Sequence, residues 1–297
     1  MYNIRLLLLV SFSLVLALLY QAWQKDYAAK ESPAVVQNTT DTTPVPAAPL
    51  PQTAEPKVAN EAHPVDKQDA LHDYRYVRVI TDVLDVRISL QGGSLVSSHL
   101  RQYPADKGIS NDGFQLFKDS PNHIFIAQSG LIGNSGGLPD HQALFTSQAD
   151  SYSLQEGQNE IRVTLTWESN PVKVNKIFVF KRGAYLVDVY HEIINSGKES
   201  IAARFYAQFV RTPPLKEEES SFVYTYTGPA LYSPQTKYEK IAFDKIQKES
   251  LSREVSDGWV AMLQHYFMAA WIPERQETYN FYTGASSHNR YIIGMWS

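Results

Sequence analysis

The stretch DGWVAMLQHYFMAAWIPER, residues 257–275, is apolar enough to be a membrane span, a buried helix or a strand inside a large core, and the fold turns on which it is. Trp259, Ala261 and Leu263 alternate with Val260, Met262 and Gln264. After a slip near His265, Phe267, Ala269 and Trp271 alternate with Met268, Ala270 and Ile272. Both faces are apolar, as in a strand covered on both sides. With Gln264 and His265 in its middle and Pro273-Glu274-Arg275 closing it, the run is too short and too polar to cross a bilayer as a helix. It reads as a central strand or strand pair, with Trp259, Phe267 and Trp271 expected in the core.

The residues around it repeat the period of two. Val86, Ile88 and Leu90 alternate with Arg87 and Ser89 before the turn Gln91-Gly92-Gly93, and Ile161, Val163, Leu165 and Trp167 alternate with polar residues. Ile177–Phe180, the turn Lys181-Arg182-Gly183, Tyr185–Ile194, the turn Asn195-Ser196-Gly197 and Ile201–Phe209 continue the pattern. Apolar strands joined by short glycine-containing turns predict antiparallel sheet. The nearest helical pattern, Tyr238–Glu249, is short and charged. Residues 74–297 are therefore expected to form an all-β, large antiparallel β-sandwich, built of two large sheets.

Upstream the composition changes twice. Leu6–Trp23 contains no charge and as a helix covers roughly 27 Å, close to a bilayer core. Arg5 precedes it, Tyr20 and Trp23 stand where interfacial aromatics belong, and no small-x-small cleavage site follows, so residues 1–24 read as an uncleaved transmembrane anchor with its N-terminus inside. From Lys30 to Asp73 there are seven prolines and no aromatic residue or glycine. Such a segment cannot bury a core, and residues 25–73 are expected to be a disordered Pro-rich linker.

Bulk composition excludes some classes. There are 297 residues, 43% hydrophobic, with no cysteine, so disulfides and thiolate metal sites are ruled out while a large core is within reach. A net charge of −4 without a basic stripe gives no nucleic-acid surface. Gly133-Asn134-Ser135-Gly136-Gly137 satisfies G-x-S-x-G, but Leu138-Pro139 follows where a nucleophile elbow needs a helix, and Ser135 is expected to be inert. Glu217-Glu218-Glu219 reads as a solvated turn, and His63 and His72 fall in the linker. His191 and His265, in strand context, read as hydrogen-bonded core or sheet-surface residues. Spacing nominates no catalytic, cofactor-binding or metal-ligating residue, and no cofactor.

Four long stretches carry a resemblance: LQGGSLVSSHLRQYP (90–104), FQLFKDSPNHIFIAQSGLIG (114–133), YTGPALYSPQTKYEKIAFDKI (226–246) and GWVAMLQHYFMAAWIP (258–273). With the N-terminal span and tether, they make the chain similar to the YidC/Oxa/Alb family of membrane protein insertases as found in Gram-negative bacteria. The resemblance implies a mutarotase-like β-supersandwich on the periplasmic side of the inner membrane. It implies an accessory, protein-contacting role, with nascent integral membrane proteins, the lipid bilayer and the Sec translocon including SecDF as partners, and no enzymatic activity. The family's insertion work is done by a later bundle of five membrane helices, and the expectation is that this chain stops inside the β domain before them. The other class in play is a membrane-tethered carbohydrate-binding or mutarotase-like protein, which would need an acid and a base converging in a cleft.

Overall fold

The structure, a computed structural model, describes residues 12–18, 20, 75–104, 113–133, 137–214, 225–286 and 288–297. The chain divides into two compact units, residues 1–60 and 61–297. In the first, residues 12–18 are helical. Among the described residues no helix is long and apolar enough to cross a membrane. The rest of the expected anchor and the linker lie outside the described residues, apart from Tyr20.

The second unit is all-β, as the alternation predicts. Its base is a ten-stranded sheet that combines strands from both halves of the sequence. From the first half come β1 (Tyr76–Ile80), β2 (Leu84–Ser89), β3 (Leu95–Leu100), β4 (Phe114–Ser120), β5 (His123–Gly133) and β7 (Ser151–Ser153). From the second come β11 (Ala203–Arg211), β14 (Ser252–Ser256), β17 (Thr278–Ser286) and β18 (Arg290–Trp296). The order is β14-β17-β18-β11-β5-β4-β3-β2-β1-β7, antiparallel except where β1 runs parallel to β7. β11 is the join, paired with β5 on one side and β18 on the other.

The second layer is not the one large sheet expected. It is split into two sheets of four strands. One contains β6 (Thr146–Ser147), β8 (Glu160–Ser169), β9 (Val172–Lys181) and β10 (Val187–Asn195); the other contains β12 (Gly228–Ser233), β13 (Lys237–Lys240), β15 (Trp259–Gln264) and β16 (Phe267–Trp271). A ten-stranded sheet accumulates twist from strand to strand, and two narrow sheets follow such a surface where one wide sheet cannot. Both pack on the same face of the base: Val163, Leu165 and Phe178 from one and Leu231, Val260 and Met262 from the other share a core with Val86, Phe125, Phe209 and Ile293. On the opposite face of the base a small apolar cluster forms around Ile124, Val210 and Ile292.

The opening stretch is a strand pair. β15 and β16 form a hairpin in which Val260 lies opposite Trp271 and Gln264 opposite Phe267. Val260, Ala261 and Met262 are fully buried, but Phe267 and Trp271 are only partly buried, because β16 is an edge strand, and Trp259, at the start of β15, is also only partly buried, beside Tyr232 and Tyr238. One further expectation is corrected, and the nearest helical pattern does yield a short helix. The turn at Asn195-Ser196-Gly197 does not make a hairpin: β10 pairs with β9 and β11 crosses to the base sheet. Within Tyr238–Glu249, residues 243–248 form a short helix, α1 (Phe243–Lys248), whose Ile246 is buried in the main core. Phe243 packs against the same core, and such tertiary packing is what holds so short a helix.

Candidate functional site

Splitting the upper layer opens a cleft of about 1050 Å³. One wall is β10 with the residues just before it, the other is β16 with the residues just after it. The floor is the inner face of the base sheet, including Val86, Leu100, Phe117, Phe209 and Met295. The floor is apolar because alternate residues of these strands already face the core. The exposed rim is apolar too: Leu186, Met268 and Ile272 are 60%, 48% and 62% exposed and all border the cleft. An apolar concavity whose rim side chains have no covering partner is the usual form of a binding surface.

An aromatic bracket closes one end. The ring of Tyr103 lies 5.9 Å from Tyr185 and 5.2 Å from Phe267, which stacks in turn on Phe114 at 4.2 Å. At the other end Trp271 stacks on Phe209 at 5.8 Å and His191 leans on Phe205 at 5.7 Å. Among the described residues neither ring nitrogen of His191 nor the indole nitrogen of Trp271 has a hydrogen-bond partner. The expectation of a hydrogen-bonded His191 is thus corrected: its ring leans on Phe205, and its cross-strand neighbour Lys176 gives its ammonium to the carbonyls of Gly92 and Ser129 instead. Burial, with a smaller contribution from Lys176, pushes the His191 pKa down to about 3 and keeps the imidazole neutral. His265 is exposed at the hairpin tip, 3.5 Å from the ring of Tyr266.

Lys176 holds the cleft's first wall in place. It points inward from β9, fully buried, and its ammonium donates to the carbonyl oxygens of Gly92 and Ser129, each at 2.8 Å. Burial lowers its pKa to about 7. Gly92 lies in the turn after β2 with φ +69°, and a Cβ there would come within 2.1 Å of the His141 carbonyl oxygen. The sequence carried a signal for this contact: Val174, Phe178 and Phe180 share a period of two, and Lys176 falls in step with them.

Among the described residues His191, the cleft's histidine, makes no hydrogen bond to a carboxylate. A catalytic imidazole is ordinarily held by such an orienting partner. Ser135, Glu217-Glu218-Glu219, His63 and His72 lie outside the described residues. Sequence reasoning missed the cleft because residues that line it are as apolar as those that fill the core.

The features together define a large β-sandwich domain with an open apolar cleft in its split upper layer. Residues 76–297 match the family model of the YidC periplasmic domain. The chain belongs to the YidC family of membrane protein insertases. It is 37% identical over 299 residues to the membrane protein insertase YidC of Alkalilimnicola ehrlichii, covering 100% of this chain and 53% of that protein. It is likewise 37% identical over 302 residues to that of Methylococcus capsulatus, covering 100% and 54%. The chain thus spans about half the length of the curated relatives it matches. A galactose mutarotase related enzyme from Lactobacillus acidophilus is a distant structural neighbour, with a TM-score of 0.40 and 12% identity over 74% of this chain and 85% of that one.

Proposed function

We propose that this chain is the N-terminal portion of a membrane protein insertase, which assists insertion and folding of integral membrane proteins, and that its β domain is the accessory module that contacts other proteins. The observation that carries the reading is the full-chain likeness to relatives named as membrane protein insertases. The open apolar cleft supports a contacting role. The partners are nascent integral membrane proteins, the Sec translocon including SecDF, and the lipid bilayer of the bacterial inner membrane. Residues 1–24 anchor the chain with the N-terminus cytoplasmic, residues 25–73 act as a tether, and the β domain is periplasmic. Leu6–Trp23 has the length and apolarity for that anchor.

Alkaline phosphatase fused after Thr81 tests the topology, and an active fusion is expected; an inactive one beside an active cytoplasmic reporter reverses it. Sheltering polar segments within lipid takes several helices, because unpaired polar backbone in hydrocarbon is costly. Residues 1–297 expressed alone are therefore expected to anchor without restoring growth to cells depleted of their insertase. A photo-crosslinker on the β domain is expected to trap integral membrane proteins or Sec subunits. Restored growth would mean that the insertion work has been assigned to the wrong part of the molecule.

A further inference from the structure

Neighbouring side chains on one face of a sheet interact in pairs, and like charges directly opposite one another are unfavourable. Such a pair stands on the outward face of the base sheet. In β1 and β2, Val77, Val79, Val86 and Ile88 turn into the main core, so Tyr76, Arg78, Asp85 and Arg87 turn out. The register sets Arg78 directly opposite Arg87. Asp85 is the only acidic residue of the two strands, and it holds Arg78: the Arg78 Nε and a terminal nitrogen donate to its two oxygens at 3.0 and 2.6 Å. Arg87 is left with no ion pair among the described residues, and its guanidinium rests over the Tyr76 ring, 4.9 Å from the centroid. His99 on β3 stands opposite Asp85, so three basic side chains surround one carboxylate. Partial burial alone would raise the Asp85 pKa, but Arg78, His99 and Arg87 together hold it below the ordinary carboxylate value.

The surplus has the opposite sign to the chain as a whole, whose net charge is −4. A guanidinium that no carboxylate occupies keeps a planar fork of donors for a phosphate. Tyr76 is 42% exposed, and tyrosine and arginine both belong at the headgroup level of a bilayer, where each keeps an apolar body and a polar tip. β1 is also the first strand after residues 25–73, the tether of the proposed anchor. An anchor that already keeps the domain at a bilayer turns a weak surface contact into an intramolecular one, and a few basic residues then suffice.

We infer that the outward face of β1, β2 and β3, centred on Arg87, docks on acidic phospholipid headgroups of the membrane that holds the anchor. Arg87 donates to a lipid phosphate, while Arg78 and His99 add to the attracting field. This rests on the reading of the chain as membrane-anchored and names the part of the β domain that meets the lipid. Docked in this way, the domain keeps its upper layer, which packs on the opposite face of these strands, away from the bilayer.

The test uses residues 1–297 in nanodiscs that carry a nitroxide quencher on some headgroups, made either of zwitterionic lipid or with phosphatidylglycerol added. Because the chain has no cysteine, a fluorophore can be attached at one chosen site. Gln115→Cys puts it on β4 beside His99, and Glu192→Cys puts it at an exposed position of β10 in the upper layer. The label at 115 is expected to be quenched in acidic nanodiscs and not in zwitterionic ones, and the label at 192 in neither. Arg87→Ser changes an exposed side chain, keeps the wild-type melt, and is expected to lower the ratio of docked to free domain about fivefold, the worth of one basic residue at an acidic surface. Added salt is expected to weaken the wild-type contact. Equal quenching at 115 in both lipids, the same quenching in Arg87→Ser, or equal quenching of both labels overturns the inference. So does loss of quenching to inorganic phosphate at matched ionic strength, which marks a site for free phosphate. If the chain enters nanodiscs but the acidic lipid makes no difference, the inference falls and the anchored reading stands. If it does not enter them, both fall.

Discussion

The ammonium of Lys176 on β9 donates to the carbonyl oxygen of Ser129 on β5 at 2.8 Å, a bond between the two layers made inside the core. Its proton is held only below about pH 7 in the folded protein, against 10.5 for an ordinary lysine. Between those values the unfolded chain carries the extra proton, so stability rises with pH over that window, by up to about 1.4 kcal/mol per pH unit. Denaturant melts at pH 7, 8 and 9 are expected to show the rise. Lys176→Met is expected to flatten it, and an unchanged slope in that variant would place the titration elsewhere.

His191 acts on the acid side. Its folded pKa of about 3 lies below the ordinary 6.5, so the unfolded chain takes up its proton first. The contribution is fully present above pH 6.5 and is lost as pH falls towards 3. His191→Leu is expected to lose less stability than the wild type between pH 7 and pH 4.5, by up to about 1.4 kcal/mol per pH unit. Paired carboxylates such as Asp85, whose pKa is lowered by its bond to Arg78, contribute equally to both proteins and cancel.

Edge and core of the hairpin separate cleanly by truncation. Trp271, half-buried and stacked on Phe209, is expected to cost about 2–4 kcal/mol when replaced by alanine. Met268, three residues away and 48% exposed, is expected to change stability by no more than about 0.5 kcal/mol as serine. Thermal melts of the two variants check the contrast; equal effects would mean that the wall is uniformly buried.

Two glycines with positive φ make a matched pair. Gly92 has φ +69°, and the His141 carbonyl oxygen stands 2.1 Å from where an added Cβ would sit, whereas Gly157, φ +81°, has open space around it. Gly157→Ala is expected to cost about 1–2 kcal/mol from backbone strain alone. Gly92→Ala adds a backbone clash and is expected to cost more, which chemical denaturation of the two variants measures side by side.

Local pattern made much of the fold legible. Val163 and Leu165 sit fully buried where the alternation put them, and the apolar run at 257–275 is strand, as its length and polar middle required. Long-range pairing was not legible. Nothing near Asn195-Ser196-Gly197 distinguishes a hairpin from a crossover, because the partners of β11 are β5 and β18, far away in sequence. The candidate site was hidden for a related reason: Trp271 and Phe267 have the composition of core, and only the split of the upper layer leaves them beside an open space. Lys176 was readable in principle, as a charge in step with an apolar stripe.

The position of β11 also sets a timetable. Its first neighbour, β5, precedes it in the chain, but its second, β18, follows by roughly eighty residues. At a synthesis rate of about 5–20 residues per second, the far edge of β11 waits roughly 4–16 seconds for its partner. During that interval the middle of the base sheet is an unprotected strand edge flanked by Ala207 and Phe209, residues that end up buried. Assembly cannot proceed simply in chain order, and the emerging chain is open to mispairing at its centre until β18 arrives.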